Sequence, residues 1–206
     1  MKQTLYSSRS NLYIGFHGCD KSVAEMILHG GSLKPSHNDY DWLGHGVYFW
    51  ENNEQRALQF AEEASKRKSS SIKEPFVIGA VIDLGYCLDL TDMSCLDEIK
   101  QSYDALRDAF VKAGKDLPIN KNIGSNGDLL LRHLDCAVIE YEHAINEMAK
   151  VKSFDSVRGV FTEGNDLYPG GGIKEKNHIQ ICVRNPNCIK GYFLPRIKDD
   201  NYSNPE

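Results

Sequence analysis

One apolar run, at positions 76–84, constrains the fold of this chain more than any other local feature. Its sequence, FVIGAVIDL, has the length of a β-strand and is rich in β-branched residues, so it predicts a buried central strand. Further short apolar runs of strand length occur at residues 12–16, 157–161, 179–183 and 189–194. A chain with several such runs is expected to build a sheet.

The segments between these strands have helical patterns. Asp20 is placed to cap a helix that passes through residues 24–28 and ends at a glycine pair. Residues 54–68 are amphipathic, with alanines along one stripe and charges on the other. The middle third of the chain predicts two more helices, at 94–113 and 129–150. The sequence therefore predicts an α+β fold with a helical insertion.

Length and composition predict one domain. The chain has 206 residues, is 41% hydrophobic and contains no linker, so we interpret residues 1–206 as a single domain with a flexible polar tail at 198–206. A net charge of −5 argues against nonspecific binding to nucleic acid through counterion release. No segment offers the roughly 20 apolar residues of a membrane span, and no signal sequence is recognisable. We expect a soluble, cytoplasmic protein with no membrane partner.

The cysteines give no sign of a metal site or of disulfides. All six occur singly, without the C-x-x-C pairs that are typical of zinc sites. Several lie within apolar runs, where free cysteine is often buried. We therefore predict reduced thiols and no bound metal.

Two glycine-bearing motifs near the amino terminus carry most of the functional information. The first strand leads into His17-Gly18, where a glycine lets the amide of a ligand lie directly against the backbone. The second motif, LGHGVYFW at residues 43–50, carries glycines into an apolar run that presents the ring of Tyr48. An aromatic face favours a cationic ring, so the two motifs predict a pocket for nicotinamide.

These motifs resemble those of the ADP-ribosyltransferases, in particular the diphtheria-toxin-like and poly(ADP-ribose) polymerase-like branch with its His-Tyr-Glu pattern. The resemblance rests on His17-Gly18, on GVYF at 46–49, on the helix that follows and on the late strand NHIQICV at 177–183. It extends over residues 12–194. It implies a split β-sheet core, built as two small packed sheets, with NAD as cosubstrate in the cleft between them.

The resemblance also implies roles in NAD binding. His17 would hydrogen-bond the adenosine ribose, the backbone of Gly18 would hold the nicotinamide carboxamide, and Tyr48 would stack on the nicotinamide ring. Phe60 would cover the other face of that ring, and Arg56 would reach the pyrophosphate. Plainer interpretations stay open, because each of these side chains could instead serve the core, a strand end or the solvated face of a helix.

Tyr40 and Asp41 belong to a loop of turn-forming residues at 35–41. Such a loop would cover the adenosine and pyrophosphate of NAD. Ordinary turn chemistry explains Asp41 equally well.

The late strand is where this chain departs from the family pattern. Family members have a glutamate there that bonds the 2′-hydroxyl of the nicotinamide ribose, whereas Gln180 stands at that place in this sequence. Loss of one preorganised electrostatic contact costs about 3 kcal/mol, or about a hundredfold in rate, so a single transfer is expected rather than chain elongation. His178, on the same strand face, would position or deprotonate the acceptor. Glu163 is either an alternative carboxylate or a solvated strand end.

Two functional hypotheses follow. In the first, the protein is a mono-ADP-ribosyltransferase that modifies an intracellular protein or nucleic acid, as a bacterial toxin or defence effector does. A macromolecular acceptor is then required, and a neutralising partner protein is a further expectation. In the second, the chain is a non-catalytic module that binds NAD or ADP-ribose, a hypothesis motivated by Gln180.

Overall fold

The computed structural model describes residues 12–122 and 128–203. In chain order, the strands are β1 (Tyr13–Asp20), β2 (Val47–Glu51), β3 (Pro75–Ile82), β4 (Cys87–Asp89), β5 (Ser156–Phe161), β6 (His178–Val183) and β7 (Ile189–Phe193). The α-helices are α1 (Lys21–Leu28), α2 (Glu54–Ser65), α3 (Met93–Lys112) and α4 (His133–Met148). This mixture is consistent with the predicted α+β class, and α3 and α4 form the predicted insertion between β4 and β5.

The strands of the described residues form one seven-stranded sheet in the order β4-β5-β6-β2-β1-β3-β7. Neighbouring strands are antiparallel except β4 and β5, which are parallel. The prediction of two packed sheets is therefore wrong. The run at 76–84 is an interior strand as predicted, but β2 holds the middle of the sheet. The weakest link is between β1 and β2, which share only two residue pairs, whereas β1 and β3 pair from Tyr13 to Asp20.

Successive strand residues point to opposite sides of the sheet, so the sheet has apolar side chains on both faces. Helices cover both faces. On one face, here the α1 face, Ala24 and Ile27 of α1 pack with Phe49 and Ile181. On the other, the α2 face, Ala57 of α2 packs with Trp50 and Val77. Ile139 of α4 covers Val157 and Cys182 farther along the α2 face. The middle of the α2 face therefore lies between α2 and the helical insertion.

The caps and ends of the helices follow from local chemistry. The Asp20 carboxylate accepts a hydrogen bond of 3.0 Å from the Ser22 amide, as the predicted cap requires. Helix α2 ends at Ser65, before the predicted 68, and α4 begins at His133, after the predicted 129. Part of the predicted tail, residues 204–206, lies outside the described residues, and residues 198–203 are exposed.

The cysteines and the membrane prediction can be compared with the structure. All six thiols are free, as predicted, and four of them are buried. Across residues 12–122 and 128–203, none of the helices combines the length and apolarity that a bilayer crossing demands. Within the same ranges there is no group of three or more side chains that could hold a metal ion.

The helical insertion contains a buried histidine that makes stability depend on pH. His143 of α4 is 2% exposed, and burial lowers its pKa from 6.5 to about 4. Neutral His143 therefore contributes stability that is full above pH 6.5 and is lost as the pH falls toward 4. We expect the difference in unfolding free energy between wild type and His143→Leu to fall by about 1.4 kcal/mol per pH unit in that range. Parallel pH profiles in urea denaturation would contradict this.

Candidate functional site

A gap opens in the sheet where β1 and β2 separate. The Ile14 carbonyl accepts a hydrogen bond of 2.9 Å from the Asn52 amide, and the strands then pair at Gly15 and Phe16. Along a strand, the backbone N–H and C=O groups of successive residues point alternately to the strands on either side. Gly18 follows Ile14 by an even number of residues, so its N–H and C=O point toward β2 as those of Ile14 do. The ladder stops before Gly18. Gly18 therefore presents a donor and an acceptor to the gap.

His17 holds this gap open. In a continuous ladder, the Tyr48 carbonyl would accept a hydrogen bond from the Gly18 amide. That carbonyl instead lies 2.8 Å from His17 Nδ1. Because a carbonyl only accepts, Nδ1 carries the proton. Burial lowers the pKa of His17, which keeps the ring neutral. The ring lies on the α1 face, 5.8 Å from the ring of Phe49 between centres.

Gly18 also permits close packing of α2. A Cβ atom at this position would lie 2.1 Å from the Ala57 carbonyl oxygen. We expect Gly18→Ala to lower the free energy of unfolding by about 1–3 kcal/mol, since the backbone of α2 would have to shift. Gly191 is the matched control, a strand glycine whose Cβ would meet open space. Equal denaturation midpoints for Gly18→Ala and Gly191→Ala would contradict this packing.

The Tyr48 side chain is committed to the glycine loop. Its hydroxyl donates to the Gly44 carbonyl at 2.7 Å and accepts from the Leu43 amide at 3.0 Å. Its ring packs on the α2 face against the cluster that contains Leu43 and Val157. Burial raises the pKa of the hydroxyl well above its ordinary value. The predicted stacking on nicotinamide therefore remains a prediction, and the visible role of Tyr48 is to fix the loop.

Gln180 lies at the centre of the α2 face, paired in register with Trp50. Its Oε1 atom accepts a hydrogen bond of 2.6 Å from Trp42 Nε1. The indole of Trp42 also lies 5.0 Å from Phe161 between ring centres, and the Arg132 guanidinium lies 5.0 Å from the same phenyl ring. The amide of Gln180 is thus oriented by Trp42, which together with Phe161 and Arg132 forms what we call the aromatic wall.

Arg56 and Glu163 form a buried ion pair beside this wall. Arg56 Nη2 donates to Glu163 Oε2 at 2.8 Å, and the side chains are 8% and 14% exposed. Lys176 Nζ lies 3.7 Å from the other carboxylate oxygen of Glu163. Phe60, one turn along α2, packs on Trp50 with ring centres 4.9 Å apart. Arg56 is therefore neither solvated nor free to serve the pyrophosphate without leaving Glu163.

His178 adjoins the same group. Its Nδ1 atom lies 2.6 Å from the Lys176 carbonyl, so Nδ1 carries the proton of the neutral ring. Burial is the main cause that lowers the pKa of His178, and the positive charge of Arg56 acts in the same direction. Nε2 has no hydrogen-bond partner among the described residues. His178 thus offers a buried, unprotonated nitrogen.

The loop residues Tyr40 and Asp41 lie near the start of α4. Asp41 accepts a hydrogen bond of 2.9 Å from the Asn38 amide, which is ordinary turn chemistry. Tyr40 is exposed, packs edge-on against His133 and accepts a hydrogen bond from the Arg132 amide through its carbonyl. Tyr40 therefore lies next to Arg132, and the side chain of Asp41 is bonded within its own turn.

The structure thus brings the three predicted catalytic residues together with two of the predicted cofactor-binding residues and separates them from His17. Members of one group on the α2 face are Arg56, Phe60, Glu163, His178 and Gln180, while His17 points to the α1 face. Sequence reasoning missed Trp50, which lies at the centre of the group, and the wall residues Trp42 and Arg132. Trp50 was accessible to pattern analysis, because it follows Tyr48 by two residues and therefore shares its face.

Comparisons with known proteins add little to this geometry. The chain is 27% identical to an uncharacterized protein of Methanocaldococcus jannaschii over 191 residues, covering 85% of this chain and 83% of that protein. No known family model matches the sequence. No solved structure matches the chain.

Proposed function

We propose that the protein is an NAD-dependent mono-ADP-ribosyltransferase that acts on an intracellular macromolecule. The observation that carries the proposal is the buried backbone edge of Gly18, which lies beyond the last residue pair between β1 and β2 and beside a Tyr48 carbonyl that His17 already occupies. This edge offers one N–H and one C=O in adjacent positions. A primary carboxamide, which has one carbonyl and one amino group, is the matching ligand group.

The residues around the gap suit NAD in other respects. Phe60, half-buried against Trp50, supplies aromatic surface on the same helix as Ala57, whose carbonyl faces Gly18, and such surface favours a flat cationic ring. Trp42 holds the amide of Gln180, and we propose that this amide hydrogen-bonds a sugar hydroxyl. Bound NAD would supply a ribose whose leaving group, nicotinamide, departs without a general acid. The chain itself then needs to bind, orient and exclude water.

The neutral side chain at position 180 supports transfer of a single unit. Gln180 orients a ribose hydroxyl without adding charge, and the buried Glu163 carboxylate is neutralised by Arg56. Weaker stabilisation of the developing positive charge lowers the rate but leaves orientation intact. The proposal extends to a toxin or defence effector with a neutralising partner protein.

Turnover of NAD by the purified protein tests the proposal, and Gln180→Glu is the informative variant. A glutamate can still accept the hydrogen bond from Trp42 and adds negative charge beside the ribose, so we expect nicotinamide release to rise up to about a hundredfold. The control is Gln101→Glu, on an exposed face of α3. NAD binding without any nicotinamide release in wild type or variant would support the binding module instead.

A further inference from the structure

We propose that Trp50, Arg56 and His178 form a pocket for the hydroxyl group of an acceptor serine or threonine in a protein, and that His178 removes its proton. The proposal rests on the transferase function above and specifies its acceptor. It is carried by buried nitrogens that the fold leaves without partners.

The three side chains are almost completely buried, being 4%, 7% and 7% exposed, respectively. Trp50 Nε1, Arg56 Nε and Nη1, and His178 Nε2 have no hydrogen-bond partner within the part of the chain that the structure describes. The Arg56 guanidinium carbon lies 5.9 Å from the Trp50 ring centre, and that ring lies 6.2 Å from the imidazole of His178. Buried polar groups are normally hydrogen-bonded, and here three neighbouring side chains share this deficit, so the cluster has donors and an acceptor left for a polar group.

The pocket offers both hydrogen-bond donors and a hydrogen-bond acceptor. Arg56 and Trp50 can only donate through these nitrogens. His178 Nδ1 is protonated, because it faces the Lys176 carbonyl at 2.6 Å, so the neutral ring presents a lone pair at Nε2. A group that fills the pocket must therefore donate to His178 and accept from Arg56 or Trp50.

A hydroxyl group meets this requirement, and the charged acceptors do not. A carboxylate has no proton for His178 and would face the negative charge of Glu163, whereas an ammonium or guanidinium group cannot accept from Arg56 and would be repelled by it. A primary amide has both functions, but its nitrogen is a poor nucleophile. The pocket chemistry therefore points to an alcohol.

A neighbouring groove indicates that the alcohol belongs to a protein. This groove encloses about 490 Å³ and is lined by Arg56 together with polar residues of α2 and of the segment before β6. Its wall contains two cations, Arg56 and Lys176, each of which already lies 2.8 Å from a carboxylate outside the wall, and two further carboxylates, those of Glu62 and Glu175. These carboxylates would repel the phosphates of a nucleic acid. A neutral or basic peptide segment is the better occupant.

The transfer step balances with these groups. The acceptor oxygen forms a bond to the anomeric carbon of the nicotinamide ribose of NAD, and the bond from that carbon to nicotinamide breaks. The bonding electron pair leaves with nicotinamide and neutralises its ring charge. The hydroxyl proton moves to His178 Nε2.

Chemical analysis of the linkage tests the inference. The protein is incubated with a cell extract and NAD labelled in its adenylate phosphate. We expect label that protease releases and that neutral hydroxylamine leaves in place, as an alcohol-linked product requires. Label that nuclease or hydroxylamine removes, or nicotinamide release without label, would overturn the inference while leaving NAD turnover standing. Absence of nicotinamide release would overturn the proposed function itself.

Variants test the role of His178. Because protonation of Nε2 removes the base, we expect labelling by the wild type to decline toward acid pH. We expect His178→Gln to lower labelling by about a hundredfold and to remove this decline, with wild-type affinity for NAD. His143→Gln, at another buried histidine whose ring nitrogens have no hydrogen-bond partner among the described residues, is the matched control for labelling at neutral pH, above the range in which His143 itself affects stability. If His178→Gln does not fold, Trp50→Phe keeps an aromatic ring of smaller size, removes the indole N–H donor and should lower labelling about fivefold. Unchanged labelling and pH profile in either variant would contradict the assignment.

Discussion

Replacing Arg56 with methionine is expected to lower the free energy of unfolding by about 3–5 kcal/mol, because it leaves the Glu163 carboxylate buried without its principal partner. Methionine retains most of the aliphatic length of arginine, so lost packing contributes little. Lys176, at 3.7 Å, is too distant and too exposed to compensate fully. Urea denaturation at neutral pH measures the effect.

Two further variants separate the buried pair from general effects of losing a charge. The double variant Arg56→Met, Glu163→Leu removes both charges and should recover much of the loss, since an apolar replacement of a buried pair is often neutral or better. Lys100→Met breaks an exposed helical pair with Asp104 and should change the midpoint little. If Arg56→Met is no more destabilising than Lys100→Met, the buried pair does not stabilise the fold as we expect.

Tyr48→Ala is expected to lower the free energy of unfolding by about 3 kcal/mol, because it removes a packed ring and both hydrogen bonds of its hydroxyl. Tyr48→Phe keeps the ring and should lose about 1–2 kcal/mol, since the Leu43 amide and the Gly44 carbonyl lose a partner. Chemical denaturation of both variants separates the contribution of the ring to the free energy of unfolding from that of the hydroxyl. A stable Tyr48→Ala protein that has lost NAD turnover would show instead that the ring serves the ligand.

The elements with long, regular patterns were predictable from sequence. The amphipathic stripe of α2 and the capping aspartate of α1 are local features, and local patterns define helices well. Strand β4 was missed because three residues between turns carry no periodic signal. The arrangement in a single sheet was also beyond prediction, because the pairing of β2 with β1 and β6 is long-range.

The candidate site also has parts that the sequence can predict and parts that it cannot. The His17-Gly18 motif could be found because its residues are adjacent, but its hydrogen bond to the Tyr48 carbonyl depends on strand register. Arg56 and Glu163 are 107 positions apart, so no sequence spacing could reveal their ion pair. The Trp42 indole meets Gln180 across a similar separation. Burial and pairing across the sheet, rather than residue type, decide which side chains form the site.

The central claim is that the backbone of Gly18 recognises the carboxamide of NAD in the gap between β1 and β2. Calorimetric titration with NAD and with nicotinic acid adenine dinucleotide tests it most directly, because the two ligands differ only in a carboxamide and a carboxylate. We expect NAD to bind and the acid form to bind at least about a hundredfold more weakly, since its carboxylate would face the Gly18 carbonyl without a proton to donate. Equal affinity for the two dinucleotides, or no affinity for NAD, would contradict the account.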